Sequence, residues 1–371
     1  MSCGSPYHDI VILPTYLFGN KPLDPALDTI DTSLVIGENR VARPLRLEHS
    51  IMLADLSDIS DVEARKGLMY GASLASLPYN MGLEGILRGD QEFVDEVGAK
   101  VIYPWTSNRF GVSAKMLNQA TAIEVHVSGT ILPSFKPIQE GGSFGSSMHL
   151  DMESPKDLKK HVDLLKEISS YNIPILLKIG AGNVYGDVKL AAKSGADAIV
   201  IDTSIASHPH LKDILGHDVG MPVLGVIPPA LKAMKETNAK EENIKVLISG
   251  GSLSGMDVFK SLAMGIDGVC LGREFLVNSF KDAPGRSQDD HDIAPGSIEL
   301  PRNANWKMAG ENLAKNIHSA CETVGYLFAI TANANKKALT SECLRATTYD
   351  AASLTGLKLA GYEKALPIWM H

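Results

Sequence analysis

Short apolar runs alternate with helical patterns through the middle of the chain. The runs are rich in β-branched residues, and the segments between them repeat apolar residues three or four positions apart. The runs cover residues 50–56, 77–81, 101–104, 122–127, 173–179, 198–202, 245–249 and 268–271. Because eight strand-then-helix units close most simply into a ring of parallel strands, this alternation predicts the α/β class and a (β/α)8 TIM barrel.

The segments on either side of these runs predict three parts of the chain. Residues 1–48 are proline-containing and lack sustained periodicity, which predicts an irregular N-terminal arm, and 49–280 form the barrel. Residues 281–371 are a polar loop followed by C-terminal helices, expected at 304–333, 339–344 and 351–357. Residues 222–227 lead into a proline pair, and we expect an inserted helix that starts at this pair and runs to Lys235.

Composition excludes several classes of protein. The chain has 371 residues, 44% hydrophobic and 21% charged, with a net charge of −8, which argues against a general nucleic-acid surface. No apolar run reaches the roughly 18 residues of a membrane span, and the N-terminus does not have the pattern of a signal peptide. The cysteines are scattered, which predicts neither a disulfide framework nor a cysteine-bound metal, and we expect a cytoplasmic protein.

The stretch from Ile244 to Val277 contains two successive strand–glycine–helix turns. Gly250 and Gly251 end the seventh strand, and Gly272 ends the eighth, followed by Arg273. Backbone amides beside helix N-termini bind anions, and the loops after strands 7 and 8 of a barrel commonly hold a phosphate. The glycines could equally serve only as tight turns.

Polar residues end several of the strands, where parallel strands deliver them to one face of a barrel. Lys178 lies within an apolar run, where a lysine is costly to bury unless it is paired or used. It could stabilise negative charge on a flavin, form a Schiff base, or pair with Asp202 on the neighbouring strand. Asp202 could instead hold a ribityl hydroxyl or cap a helix, and Arg273 could clamp a phosphate or form a salt bridge.

Two loops contain side chains of the kinds that bind metals. They are residues 208–210, HPH, and residues 289–292, DDHD. The spacing in the first is weak for a metal site, and both are better interpreted as solvated loops. We therefore expect no metal.

Several segments, taken together, resemble the FMN-binding barrel of glutamate synthases, particularly stand-alone archaeal-type proteins. Residues 80–85, NMGLEG, resemble the family's NTGEGG, and residues 108–112, NRFGV, its SGRFGV. Residues 136–142 resemble AKPGEGG, and Lys178 with the glycines after it resembles VKLxxGxGxG. Residues 249–255 resemble DGGLRTG, Leu271-Gly272 resembles the start of FGTA, and residues 354–358, LTGLK, resemble TGVK. These segments occur in the family's order between about Pro44 and Gly356.

The resemblance implies an FMN-dependent oxidoreductase that forms or oxidises a C–N bond in a small amino or 2-oxo acid. It implies that Lys178, Arg109 and Lys136 are catalytic, with Arg109 or Lys136 holding a substrate carboxylate. The implied FMN-binding residues are Asn80, Lys178, Asp202, Gly250, Gly251, Gly272 and Arg273. We also expect a homo-oligomer.

The chain departs from the family pattern at the substrate end. The family's MSxG at strand 1 is here DLSD, the glutamate of NTGEGG is displaced to Glu84, and the segment after strand 6 reads DTSIASHPH. Residues 281–301 lack the family's iron–sulfur cysteines, and no glutaminase domain is expected before the barrel. Electrons would then come from a separate donor protein or a soluble reductant, or the reaction would be one in which the flavin is not reduced from outside. The chemistry could be glutamate synthesis or the turnover of an N-substituted amino acid. A non-catalytic subunit and a flavin-free Lys178 Schiff-base aldolase or synthase remain as alternatives.

Overall fold

The computed structural model describes most of the chain. The described residues are 5–15, 23–24, 27–55, 59, 61–82, 90–106, 112–127, 149, 151–203, 220–252, 254–281 and 305–362. Arg109 and Lys136, the HPH and DDHD loops, Glu84 and most of the segment 281–301 lie outside these ranges. In the described part of the chain, no helix is long and apolar enough to span a membrane.

The central element is an eight-stranded parallel sheet that curls into a nearly closed barrel. Its strands are β4 (Ile51–Leu53), β5 (Tyr79–Asn80), β6 (Val101–Trp105), β7 (Ala122–His126), β8 (Ile175–Gly180), β9 (Ala198–Asp202), β10 (Lys245–Ser249) and β11 (Gly268–Leu271). They pair in the order β4-β11-β10-β9-β8-β7-β6-β5, and every pairing is parallel. The predicted (β/α)8 barrel is confirmed.

Helices surround the barrel on its outer face. They are α1 (Val62–Leu74), α2 (Gln91–Val97), α3 (Ala114–Gln119), α4 (Pro155–Ile168), α5 (Val184–Ala192), α6 (Val223–Glu236), α7 (Gly255–Ala263), α8 (Arg273–Lys281), α9 (Trp306–Ile330) and α10 (Tyr349–Thr355). Several begin at side-chain caps: Asp61 accepts from the Glu63 amide, and Ser254 accepts from the Asp257 amide. The strands between them are almost wholly buried, as expected for a sheet covered on its outer face.

The N-terminal arm contains short strands that periodicity did not predict. Strand β1 (Ile10–Ile12) pairs with β12 (Leu344–Ala346), and β2 (Leu34–Ile36) forms a hairpin with β3 (Leu45–Leu47). Each has three residues, too few to show a period of two. The expected helix at 339–344 is wrong, because only a short 3-10 turn at Ser341–Cys343 forms there and it leads directly into β12.

The β2–β3 hairpin closes the N-terminal end of the barrel. Leu34 reaches the first residue of β11 so closely that a Cβ on Gly268 would lie 2.7 Å from its Cδ2 atom. In the loop that joins β2 to β3, Arg40 Nε donates to Asp197 Oδ1 at 2.7 Å. Asp197 is fully buried and also accepts from Lys166 Nζ at 3.2 Å and from the Ile175 amide at 2.9 Å. The arm is thus held against the barrel by the buried Leu34 side chain and by the ion pair between Arg40 and Asp197.

The expectation that the inserted helix α6 starts at the proline pair is wrong. It begins at Val223, after Pro222, and contains Pro228 and Pro229 in its interior. The two prolines remove backbone donors, and burial of an apolar face that includes Val226 and Ile227 offsets this loss. The expectation that residues 222–227 are not a barrel strand is confirmed.

Candidate functional site

The carboxyl ends of five barrel strands bring ionisable and polar side chains into contact. The strand register explains their grouping, because residues opposite each other on parallel strands point to the same side of the sheet. His126 lies opposite Lys178, and Gly180 lies opposite Asp202. We name the group the mouth cluster: it consists of Asp55, Asn80, Glu124, His126, Lys178 and Asp202.

Lys178 lies near the middle of the mouth cluster. Its Nζ atom is 2.9 Å from Asp202 Oδ2 and 3.5 Å from Asp55 Oδ2, and its side chain is only 5% exposed. Burial by itself would lower the pKa of Lys178. The carboxylates of Asp202, Asp55 and Glu124 together outweigh burial and raise that pKa above its ordinary value. Lys178 is therefore an ammonium ion over the physiological pH range.

This charge state bears on the interpretation of Lys178. Pairing with Asp202, which the sequence left open as one alternative, is present in the structure. A Schiff base requires a neutral amine as nucleophile, which the surrounding carboxylates disfavour. A fixed positive charge suits the stabilisation of negative charge on a bound group.

Glu124 and His126 are functional candidates that the sequence reasoning missed. His126 Nε2 lies 3.2 Å from both Asp55 Oδ2 and Glu124 Oε1, so one ring nitrogen faces two buried carboxylates. Asn80 Nδ2 donates to the same Glu124 oxygen at 3.0 Å. A signal was available: Glu124 and His126 alternate with apolar residues in β7, which places both on the inner face of the barrel.

The mouth cluster also has an acceptor that lacks a partner. Among the described residues, the buried Asn80 Oδ1 atom receives no hydrogen bond. Buried amide oxygens are almost always satisfied in proteins, so this atom indicates a place for a donor from a ligand or a water molecule.

The ligand atoms of Asp55, Glu124 and His126 lie within 4.8 Å of one another, a grouping that could hold a metal ion. However, the Lys178 ammonium is already 3.5 Å from Asp55 and supplies positive charge there. The same spacing occurs at His149, Asp151 and His161, outside the barrel mouth. Neither group has the ligands of an all-protein tetrahedral site, which needs four.

The two glycine turns approach each other closely beside the mouth cluster. Gly250 and Gly251 have φ values of 88° and 73°, which side-chain-bearing residues rarely adopt. A Cβ on Gly272 would lie 3.3 Å from the Cα atom of Gly250, so the two turns leave room only for bare backbone. We call Gly250, Gly251 and Gly272 the glycine cradle. Arg273, the first residue of α8, adjoins it, and burial lowers the pKa of its guanidinium to about 10.

Strand register joins the glycine cradle to the mouth cluster. Ser249, which precedes Gly250, lies opposite Asp202 on one side and Cys270 on the other. Cys270 is buried, and burial raises the pKa of its thiol well above the ordinary value, so this thiol is a small core residue. The structure thus groups the predicted residues Asn80, Lys178 and Asp202 in one network and places the predicted glycines and Arg273 beside it.

The fold and the buried ionic network define the chain as a (β/α)8 barrel protein with its candidate site at the strand ends where barrel enzymes work. Residues 131–279 match the family model for the conserved region in glutamate synthase. Over these residues the barrel is similar to the glutamate synthase family.

Two curated relatives illustrate the match. The chain is 29% identical over 293 residues to a glutamate synthase large subunit-like protein of Rhizobium meliloti (strain 1021), covering 73% of this chain and 64% of that protein. It is 27% identical over 313 residues to an archaeal-type glutamate synthase (NADPH) of Thermotoga maritima, covering 73% and 60%. The chain therefore spans less than two thirds of the length of either relative.

Solved structures with the same fold include mandelate oxidases. A variant with benzaldehyde has a TM-score of 0.56 at 15% identity, covering 91% of this chain and 86% of that one. A variant with the C4a-OH-FMN adduct has a TM-score of 0.53 at 15% identity, covering 89% and 86%. At this identity the similarity shows the fold.

Proposed function

We propose that this protein is an FMN-dependent oxidoreductase of the glutamate-synthase type that acts on a small amino or 2-oxo acid. The observation that carries the proposal is the Lys178 ammonium, buried among carboxylates at the barrel mouth beside the glycine cradle. The archaeal-type glutamate synthases among its relatives and the FMN adduct in a mandelate oxidase neighbour support the choice of cofactor and reaction class.

The residues present fit FMN. The glycine cradle offers bare backbone where a phosphate needs close approach, and Arg273 adds a cationic side chain next to it. Asn80 Oδ1 is an acceptor without a partner among the described residues, and it suits a ring N–H of a flavin. Asp202 adjoins both groups and could accept from a ribityl hydroxyl. When bound, FMN would supply the hydride chemistry that the side chains themselves lack.

The side chains of the mouth cluster would set the electrostatics. Lys178 would stabilise negative charge that develops nearby, and Asp202 and Asp55 keep it protonated. His126 would hold a proton at Nε2 between Asp55 and Glu124. Arg109 or Lys136 would hold the substrate carboxylate.

The charge balance of the mouth cluster favours an amino acid as substrate. Within the mouth cluster, whose members are all described residues, three carboxylates and one ammonium give a net charge of −2 with a neutral His126 and −1 with a protonated one. An amino or imino nitrogen with positive charge is attracted by such a surplus, whereas a neutral hydroxyl gains little. Formation or oxidation of a C–N bond is therefore favoured over oxidation of a 2-hydroxy acid.

Electrons would come from a separate donor. The sequence has no cysteine between Cys270 and Cys321, so this part of the chain offers no thiolates for an iron–sulfur cluster. A donor protein or a soluble reductant would meet the flavin at the barrel mouth.

The absorption spectrum of the purified protein, together with the mass of any released ligand, tests the proposal. We expect the spectrum of an oxidised flavin and the mass of FMN. For protein purified without ligand, added FMN should raise the midpoint of thermal unfolding. At a hundredfold excess over Kd, the bound ligand should increase the free energy of unfolding by about 3 kcal/mol. A colourless protein whose unfolding FMN does not shift would contradict the proposal.

A further inference from the structure

A cavity lies at the N-terminal end of the barrel strands, opposite the mouth cluster. It has a volume of about 780 Å³ and is formed by the start of β2, the segments before β10 and β11, and the residues that follow α9. Its charged lining residues are Asp31, Glu38, Lys240, Lys245, Asp267, Lys336 and Lys337. We call it the lysine cavity. Lys245 begins β10 and Asp267 precedes β11, so this cavity is at the N-terminal end of the strands, away from Lys178.

The acidic groups of the lysine cavity are partly committed to the backbone. Asp31 Oδ1 accepts from the Ser33 amide at 2.9 Å, and Asp267 Oδ2 accepts from the Val246 amide at 2.9 Å. Hydrogen bonding by Ser33 lowers the pKa of Asp31. Hydrogen bonds to backbone amides therefore fix the positions of these two carboxylates.

The lysines, in contrast, have carboxylates nearby but form no ion pair among the described residues. Within the described ranges, no carboxylate oxygen lies within the 4.0 Å ion-pair distance of Lys240, Lys245, Lys336 or Lys337. Lys336 Nζ donates to the main-chain oxygen of Asp267 at 3.1 Å and is partly buried. Burial, with a smaller contribution from nearby Lys245, lowers the pKa of Lys336 to about 8, although the carboxylates of Asp267 and Asp31 oppose this shift. A partly buried ammonium that forms no ion pair is costly, and an anion that enters the cavity would reduce this cost.

We propose that the lysine cavity binds a small anion that carries several phosphate charges. Four lysines converge on a space within the usual range of small-molecule sites, roughly 300–1,000 Å³. Lysine ammonium groups contact phosphates as point charges, without the planar geometry that carboxylate recognition by arginine uses. Because the cavity and the mouth cluster are at opposite ends of the barrel, such a ligand would not touch the reacting groups.

Titration calorimetry with ATP tests this proposal on the protein as purified. We expect binding that Lys336→Met weakens about tenfold or more, whereas Lys193→Met, which removes an exposed lysine from the end of α5, leaves Kd unchanged. Lys336→Arg should retain binding, since it retains the charge. Inorganic tripolyphosphate should compete, because the phosphates and not the nucleoside are recognised.

The pH dependence gives a second readout. Lys336 faces Lys245, Asp31 and Asp267, and Glu38, Lys240 and Lys337 also line the cavity. A cation with a depressed pKa is lost as pH rises through about 8, so ATP affinity should fall between about pH 7 and pH 9. Lys336→Arg should abolish this fall. Absence of ATP binding at millimolar concentration, or equal Kd values for the wild type and Lys336→Met, would overturn the proposal, while the flavin spectrum would be unaffected.

Discussion

At the scale of single residues, the buried charges at the barrel mouth show how position changes the meaning of a side chain. Lys178 was recognisable in the sequence because a lysine within an apolar strand needs a partner. Its two carboxylate partners come from strand ends distant in sequence, after β4 and at the end of β9. Only the closed sheet brings Asp55 next to Lys178.

Lys178→Met should destabilise the protein and lower the reduction potential of the bound flavin. Removing one member of a buried ionic network leaves uncompensated carboxylates, at a cost of about 3–5 kcal/mol. The midpoint of thermal unfolding and a potentiometric titration measure the two effects. Lys178→Arg, which preserves the charge, is the control, and it should retain a flavin potential near that of the wild type. An unchanged potential in the methionine variant would remove the proposed role for Lys178.

Asn80→Leu should weaken FMN binding about tenfold, since it removes an acceptor worth about 1–1.5 kcal/mol. Equilibrium binding of FMN to the protein without ligand measures this change. Asn118→Leu, at an exposed position of α3, should leave the Kd for FMN unchanged. Equal affinity of the Asn80 variant and the wild type would exclude Asn80 Oδ1 from the flavin site.

At the scale of elements, the contact between helices α1 and α9 depends on glycines. A Cβ on Gly71 would lie 2.7 Å from the Gly310 main-chain oxygen, and a Cβ on Gly310 would lie 2.8 Å from the Gly67 oxygen. The obstructing atoms belong to the backbone, so an added methyl group could be accommodated only if one helix shifted as a whole. Long helix α9 therefore packs against α1 at nearly backbone contact, a fact that its amphipathic pattern did not show.

Gly310→Ala should destabilise the protein by about 1–3 kcal/mol through overpacking of the α1–α9 contact. Gly325→Ala, in the same helix, is a matched control, because nothing lies within 4 Å of its added Cβ. The control should gain up to about 1 kcal/mol from better helix propensity. Thermal unfolding of both variants measures the difference, and a similar gain for both would mean that the helices are not in close contact.

At the scale of the whole molecule, the barrel has two differently charged ends. Carboxylates exceed cations in the mouth cluster, whereas lysines exceed carboxylates among the described residues that line the cavity at the N-terminal end. The arm connects to this second end through the β2–β3 hairpin and through Arg40. The fold thus separates the proposed chemistry from the proposed anion site by the length of the strands.

Asp197→Asn should destabilise the whole molecule by about 3 kcal/mol or more, because Arg40 and Lys166 would lose the buried carboxylate that both contact. Asp163→Asn removes an exposed partner of Lys159 and should cost less than about 1 kcal/mol. Urea unfolding compares the two variants. Similar midpoints would show that the arm is not held by the Asp197 contacts.

The sequence by itself determined the eight strands, most of the helices and the class of the fold, because periodicity and capping are local signals. It also predicted that the ends of the strands would form the site, since parallel strands in a barrel leave no other choice of face. The three-residue strands of the arm, the helix through Pro228 and Pro229, and the strand at Leu344–Ala346 required tertiary pairing or burial that no local pattern reports. Likewise, Glu124 and His126 became site residues only when the barrel formed, because two described helices separate them in sequence from Asn80 and three separate them from Asp55. Strand register determines which side chains are in contact at the barrel mouth, and only the packing of the whole sheet sets that register.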